Sequence, residues 1–96
     1  MAPTIWSINI ANIGPMARAL TPIDLNMRLL QIFEQVYRCR SVSRAAEVLD
    51  TSQPSISLGL GKLRTHFGDP LFVRTSSGME PTPYGQRLIT PIRAAL

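Results

Sequence analysis

The stretch from Ser52 to Phe67, SQPSISLGLGKLRTHF, most narrows what this chain can become. Ile56, Leu60, Leu63 and Phe67 recur at i, i+4, i+7 and i+11, one stripe of an α-helix. The opposite face carries Pro54, Ser55, Leu58, Gly61, Lys62 and Thr65, with Gln53, Ser57 and Arg64 on one flank. That face holds no acid and few bulky groups. A helix with one apolar stripe and one small, polar, basic face is expected to pack on a core and present the other face to a partner. Gly59 and Gly61 each cost such a helix about 1 kcal/mol relative to alanine. Gly59 falls nearer the core margin, where it eases packing. Gly61 points outward, where missing bulk allows close approach.

The flanking segments predict how that helix is held. Thr21-Pro22-Ile23-Asp24 is a helix start, with Thr21 as N-cap, Pro22 at the first helical position and Asp24 completing a capping pattern. The helix is expected to run to about Cys39, burying Leu25, Leu29, Ile32, Phe33 and Val36, with Glu34 and Arg38 paired weakly on its outside. Of Ser41 and Ser43, Ser43 is the expected N-cap of a short helix from Arg44 to Leu49, with Ala45, Ala46 and Leu49 inward. Asp50-Thr51-Ser52 is a polar turn, and Ser52 or Thr51 caps the long helix. A short helix, a three-residue turn and a longer helix match helix-turn-helix spacing, although any helical hairpin can show such a turn.

Gly68-Asp69-Pro70 stops the long helix. Leu71–Thr75 and Met79–Pro81 then read as two strands around a Ser76-Ser77-Gly78 turn. A two-stranded hairpin is marginal alone, so Leu71 and Phe72 are expected to anchor it on the helices. Thr82-Pro83 repeats the N-cap and proline signal for a last helix with Leu88, Ile89, Ile92 and Leu96 in its stripe. Pro91 is expected to kink that helix or to free the carbonyl of Arg87. The pattern is still helical at Leu96, as in a domain cut from something longer. Residues 1–20 show neither helical nor strand period and read as a flexible extension.

Composition bounds the function. Ninety-six residues allow one domain at most. The net charge is +4, and Lys62 is the only lysine among ten basic residues. Arginine suits planar recognition of phosphate and base edges. Cys39 is the only cysteine, which excludes an intramolecular disulfide, and it is read as packing. With His66 as the only histidine there is no metal-ligand set, and no cofactor is expected. No nucleophile–base pair and no glycine-rich phosphate loop before a helix are present, so an enzyme is not expected. Ser52 and His66 do not share a helix face. No apolar stretch is long enough for a membrane span, and a cytoplasmic compartment is expected.

An ordered set of residues resembles a known family. Ser43-Arg44-Ala45-Ala46, Leu49, Ser52-Gln53-Pro54-Ser55-Ile56-Ser57, Leu63, Gly68, Pro70-Leu71-Phe72-Val73-Arg74 and Thr82-Pro83-x-Gly85 look like the N-terminal domain of LysR-type transcriptional regulators. The resemblance covers about Leu25 to Leu96. The GDPLFVRT…GMEPTP wording is similar to the branch of nodulation and salicylate- or naphthalene-responsive regulators.

The resemblance implies a mainly α fold: a winged helix-turn-helix with a three-helix core and a two-stranded wing over residues 21–81, then a linker helix from residue 82. It implies a homodimer on pseudo-palindromic, double-stranded promoter DNA, paired through Leu88, Ile89, Ile92 and Leu96 of the last helix. It also implies a small-molecule inducer bound by a further C-terminal domain, absent here. Leu58 departs from the polar or basic residue that many relatives carry, and Pro91 interrupts a helix that is usually smooth.

The residue chemistry predicts the DNA contacts. Gln53 is the expected base reader, since its amide can pair bidentately with adenine. Ser55 and Ser57 reach phosphate or base edges, and Pro54 and Leu58 offer apolar surface to thymine methyls. Ser52 and Ser43 stand at helix N-termini that favour a phosphate. Lys62 and Arg64 are expected on backbone phosphates. Arg74 of the wing is expected in the minor groove or on a phosphate, its competing role being an ion pair with Asp69 or Glu80. The rival reading is a winged-helix protein-interaction module that does not bind DNA.

Overall fold

The computed structural model describes residues 25–96; the extension at 1–20 and the capping pattern at Thr21–Asp24 lie outside the described residues. The described elements are α1 (Met27–Cys39), α2 (Val42–Val48), α3 (Gln53–Phe67), β1 (Phe72–Thr75), β2 (Gly78–Pro81) and α4 (Pro83–Ala95). This is the expected winged helix-turn-helix with a following helix.

Helix α1 starts later than the Thr21-Pro22 signal predicts. Asn26 is its N-cap, with extended backbone, and its side chain accepts a hydrogen bond from the Leu29 N–H. Asparagine satisfies an orphan donor here at the cost of leaving the helix, so Leu25 precedes the helix and packs only at the edge of the core. The rest of the stripe is as expected, with Leu29, Ile32, Phe33 and Val36 buried.

The α2 cap is also corrected. Ser41, not Ser43, is the N-cap, its Oγ accepting from the Arg44 N–H at 3.1 Å. Ser43 sits in the first turn, exposed, with its Oγ 3.1 Å from that of Ser41. Ala45 and Ala46 are buried, which lets α2 approach its neighbours closely. The turn to α3 takes Asp50 through a left-handed backbone (φ 54), and the Thr51 N–H donates to the Ala46 carbonyl.

Helix α3 packs as its period predicts. Ile56, Leu60 and Leu63 are buried and Phe67 is partly so. A Cβ on Gly59 would lie 2.6 Å from Cδ1 of Ile32, so the missing side chain admits α1 against α3. Ser52 caps the helix, Pro54 lies in its first turn, and Gly68 ends it at φ 66.

The corner after α3 is built around Asp69. Its Oδ2 accepts from the Leu71 N–H at 2.8 Å and from the Thr82 hydroxyl at 2.7 Å. Thr82 in turn caps α4 by accepting from the Gly85 N–H. Leu71, fully buried, adopts a left-handed backbone at φ 67, a conformation that costs a leucine about 1–3 kcal/mol and persists only where its surroundings enforce it. Strand β1 therefore begins one residue later than expected, at Phe72. It pairs antiparallel with β2 in the register Phe72–Pro81, Val73–Glu80, Arg74–Met79 and Thr75–Gly78. The Phe72 ring lies 5.1 Å from that of Phe33, tilted by 46°, and Leu71 and Met79 are buried, so the wing is anchored to the helices as expected.

Helix α4 runs through Pro91 to Ala95. Ile89 and Ile92 are buried in the same core as α1, so residues from 82 onward are part of this packing unit. Glu34 joins them from α1. It was expected on the outside, but it is only 8% exposed. Its Oε2 accepts from Nη2 of Arg38 at 2.9 Å and from Nε of Arg93, on α4, at 3.2 Å. The second arginine is what allows the carboxylate to be buried, since a charge removed from water needs partners.

Candidate nucleic-acid interface

Helix α3 carries the expected outward face. Gln53, Pro54, Ser55, Ser57, Leu58 and Lys62 are all exposed. Ser52, exposed at the N-cap, accepts from the Ser55 N–H at 3.2 Å, and the two hydroxyls lie 2.9 Å apart. This bond orients Ser55, and it spends part of both hydroxyls locally. Gln53 and Ser57 stand beside it on the first turns. A Cβ on Gly61 would meet nothing within 4 Å, so that position faces open space.

Arg64 departs from its expected role. It is half-buried, and its Nε donates to the Pro70 carbonyl at 3.0 Å. The guanidinium thus closes the corner between α3 and the wing, and a phosphate contact must come from its remaining N–H groups. Arg74 behaves in the opposite way. Neither competing partner holds it, because Asp69 serves Leu71 and Thr82 while Glu80 pairs with Arg40 at 2.9 Å. It is exposed on β1 of the wing.

Two residues that matter were not singled out from the sequence. Arg40 ends α1 at φ 57 and fastens the wing from both sides of its own residue. Its Nη1 donates to Glu80, its carbonyl accepts from the Met79 N–H at 2.9 Å, and its guanidinium lies 5.0 Å from the centre of the Tyr37 ring. Only the tertiary fold brings residues forty apart together, so the sequence held no signal beyond the charges. Arg28 is the second. Its Nη2 donates to the Leu49 carbonyl at 3.2 Å, tying the start of α1 to the end of α2. Arg28 and Lys62 line one shallow depression with Thr51, Ser55 and Leu58, and among the described residues no acid lines it.

The expected dimer residues divide. Ile89 and Ile92 are committed to this chain's own core and do not face outward; Leu88 is partly buried and Leu96 is exposed. Among the described residues no helix is long and apolar enough to cross a membrane.

Two capped helices joined by a tight turn, an acid-free outward face and an anchored hairpin define a winged helix-turn-helix protein. The chain belongs to the lysR family of bacterial regulatory helix-turn-helix proteins, whose family model matches residues 27–86. It is 49% identical over 73 residues to the HTH-type transcriptional activator NahR of Pseudomonas putida, covering 76% of this chain and 24% of that protein. Among solved structures it resembles a probable transcriptional regulator, PA0477, from Pseudomonas aeruginosa, with TM-score 0.71 and 36% identity over 84% of this chain and 26% of that one. It also resembles full-length CbnR, solved in complex with its target DNA, with TM-score 0.70 and 28% identity over 74% of this chain and 25% of that one. The chain thus spans about a quarter of the length of these relatives. The matched relatives are regulators of transcription, not enzymes.

Proposed function

We propose that this chain is the DNA-binding part of a transcriptional regulator and recognises duplex promoter DNA by sequence, with α3 in the major groove and the wing near the minor groove. The observation that carries this reading is the outward face of α3: acid-free, polar at its N-terminal end, with Gln53, Pro54, Ser55, Ser57, Leu58 and Lys62 exposed. The solved complex of CbnR with its target DNA supports it.

In this reading Gln53 reads adenine by a bidentate amide pair, and Pro54 and Ser57 line the same groove wall. Ser43, Ser52 and Ser55 stand near backbone phosphates at the starts of α2 and α3. Lys62 and Arg74 supply charge that sets affinity and salt dependence without specifying sequence. A regulator acting on promoter DNA would work in the cytoplasm. A dimer would match a pseudo-palindromic site. With Ile89 and Ile92 occupied, the dimer contact along α4 falls to Leu96 and the open edge of Leu88. Control by a small-molecule inducer is assigned to sequence beyond the helix-turn-helix unit.

Selection of bound sequences from a random DNA pool tests the reading, with two enriched half-sites expected. Gln53→Ala should then relax one position in each half-site by about 1–3 kcal/mol. Equal loss on selected and random DNA would sink the role of Gln53. A chemical-shift map in which added DNA perturbs α4 alone would favour the protein-interaction module instead.

A further inference from the structure

We propose that Leu58 is a specificity-determining residue that reads a thymine through its 5-methyl group, within about two base pairs of the base read by Gln53. The proposal rests on the DNA-binding reading above and makes it specific. Leu58 is 64% exposed, more than Val48, Met27, Leu96 or Val73, the other large apolar side chains left open among the described residues. A single exposed leucine is common and proves nothing alone. The surroundings of this one narrow its partner. It lies on the outward face of the helix whose opposite face is the core, and it lines a depression shared with Arg28, Thr51, Ser55 and Lys62 and, from the core, Leu29 and Ile32.

An exposed apolar side chain beside cations and hydroxyls, with no acid among the described lining residues, suits an anionic surface that carries an isolated apolar group. The major groove is such a surface, and the thymine methyl is the apolar group on its floor. Leucine has no donor or acceptor, so it cannot distinguish bases by hydrogen bonding and responds only to that methyl. Gln53 and Leu58 are five residues apart, about 7.5 Å along the helix axis. Base pairs are spaced about 3.4 Å apart, which places the two contacts within about two base pairs of each other. Gly61, with open space where a side chain would be, leaves room for the helix to settle that deeply.

The test uses the duplex enriched from a random pool by this chain. Each thymine is replaced in turn by deoxyuridine, which removes the methyl and keeps the base pair. Affinities are measured for the unaltered chain and for Leu58→Ala, whose thermal melt should be little changed because Leu58 is 64% exposed and lies outside the buried core. Burial of one methyl corresponds to about a fourfold change in affinity. One thymine per half-site, inside the two-base-pair window, should lose about fourfold on replacement with the unaltered chain and nothing with Leu58→Ala. The same loss in both proteins, or no methyl dependence inside the window, overturns the assignment of Leu58 and leaves DNA binding standing. A pool that yields no enriched duplex overturns the DNA-binding reading and this proposal with it.

Discussion

Gly61→Ala separates what the fold needs from what the partner needs. Gly61 is the ninth of fifteen residues in α3, well inside the helix. An added methyl meets nothing within 4 Å, so the folded chain bears no clash. The remaining effect is backbone entropy and helix propensity, which favour alanine by about 1 kcal/mol. For a domain of this size that raises Tm by about 4–8 °C, readable in a far-ultraviolet circular dichroism melt. On DNA the sign reverses. If α3 beds into the groove at Gly61, the methyl intrudes on a packed contact, and such overpacking costs about 1–3 kcal/mol, or at least a fivefold loss of affinity. The loss should be similar on selected and random duplexes, because the methyl lifts the helix and reads no base. A lower Tm would refute the outward placement of Gly61. A higher Tm with unchanged affinity would refute the close approach.

Arg74→Ala should weaken binding to selected and random DNA alike and reduce the slope of log affinity against log salt by about 1, with an unchanged slope marking Arg74 as structural. Glu34→Gln leaves Arg38 and Arg93 facing a neutral group where a nearly buried carboxylate stood; with the arginine side chains 65% and 48% exposed, about 1–2 kcal/mol of stability should be lost in urea unfolding, with amide exchange accelerating in α4. Equal exchange in α4 before and after would show that the network does not hold that helix. Gly78→Ala meets both a left-handed backbone at φ 115 and the Arg40 carbonyl, 2.5 Å from the added Cβ, and should cost about 2–4 kcal/mol by undocking the wing. A melt within 1 °C of the unaltered chain would refute that account.

Periodicity and capping chemistry were sufficient for most of the architecture. The stripe Ile56, Leu60, Leu63 and the cap Ser52 are local properties, so α3 and its outward face were legible before any packing was known. The glycine stop at Gly68 and the Thr82-Pro83 start are local in the same sense, whereas the second strand begins at Gly78, one residue earlier than expected, because Gly78 pairs with Thr75. Where two local signals competed, sequence reasoning chose wrongly: Ser41 beats Ser43 as the α2 cap, and Asn26 starts α1 later than Thr21-Pro22 implies.

Burial of charge was illegible for a different reason. Nothing in the one-dimensional order says that Arg93 reaches Glu34, fifty-nine residues away, or that Arg40 reaches Glu80, forty away. Those meetings make Glu34 interior and leave Arg74 without Glu80 as a partner, while packing separately commits Arg64 to the Pro70 carbonyl and Ile89 and Ile92 to the core. By itself the sequence determined which helix faces outward and what chemistry that face carries, because helix periodicity and end-capping act over a few residues. The tertiary structure alone decided which cations remain for a polyanion, because a buried carboxylate or carbonyl claims whichever arginine the packing brings within reach.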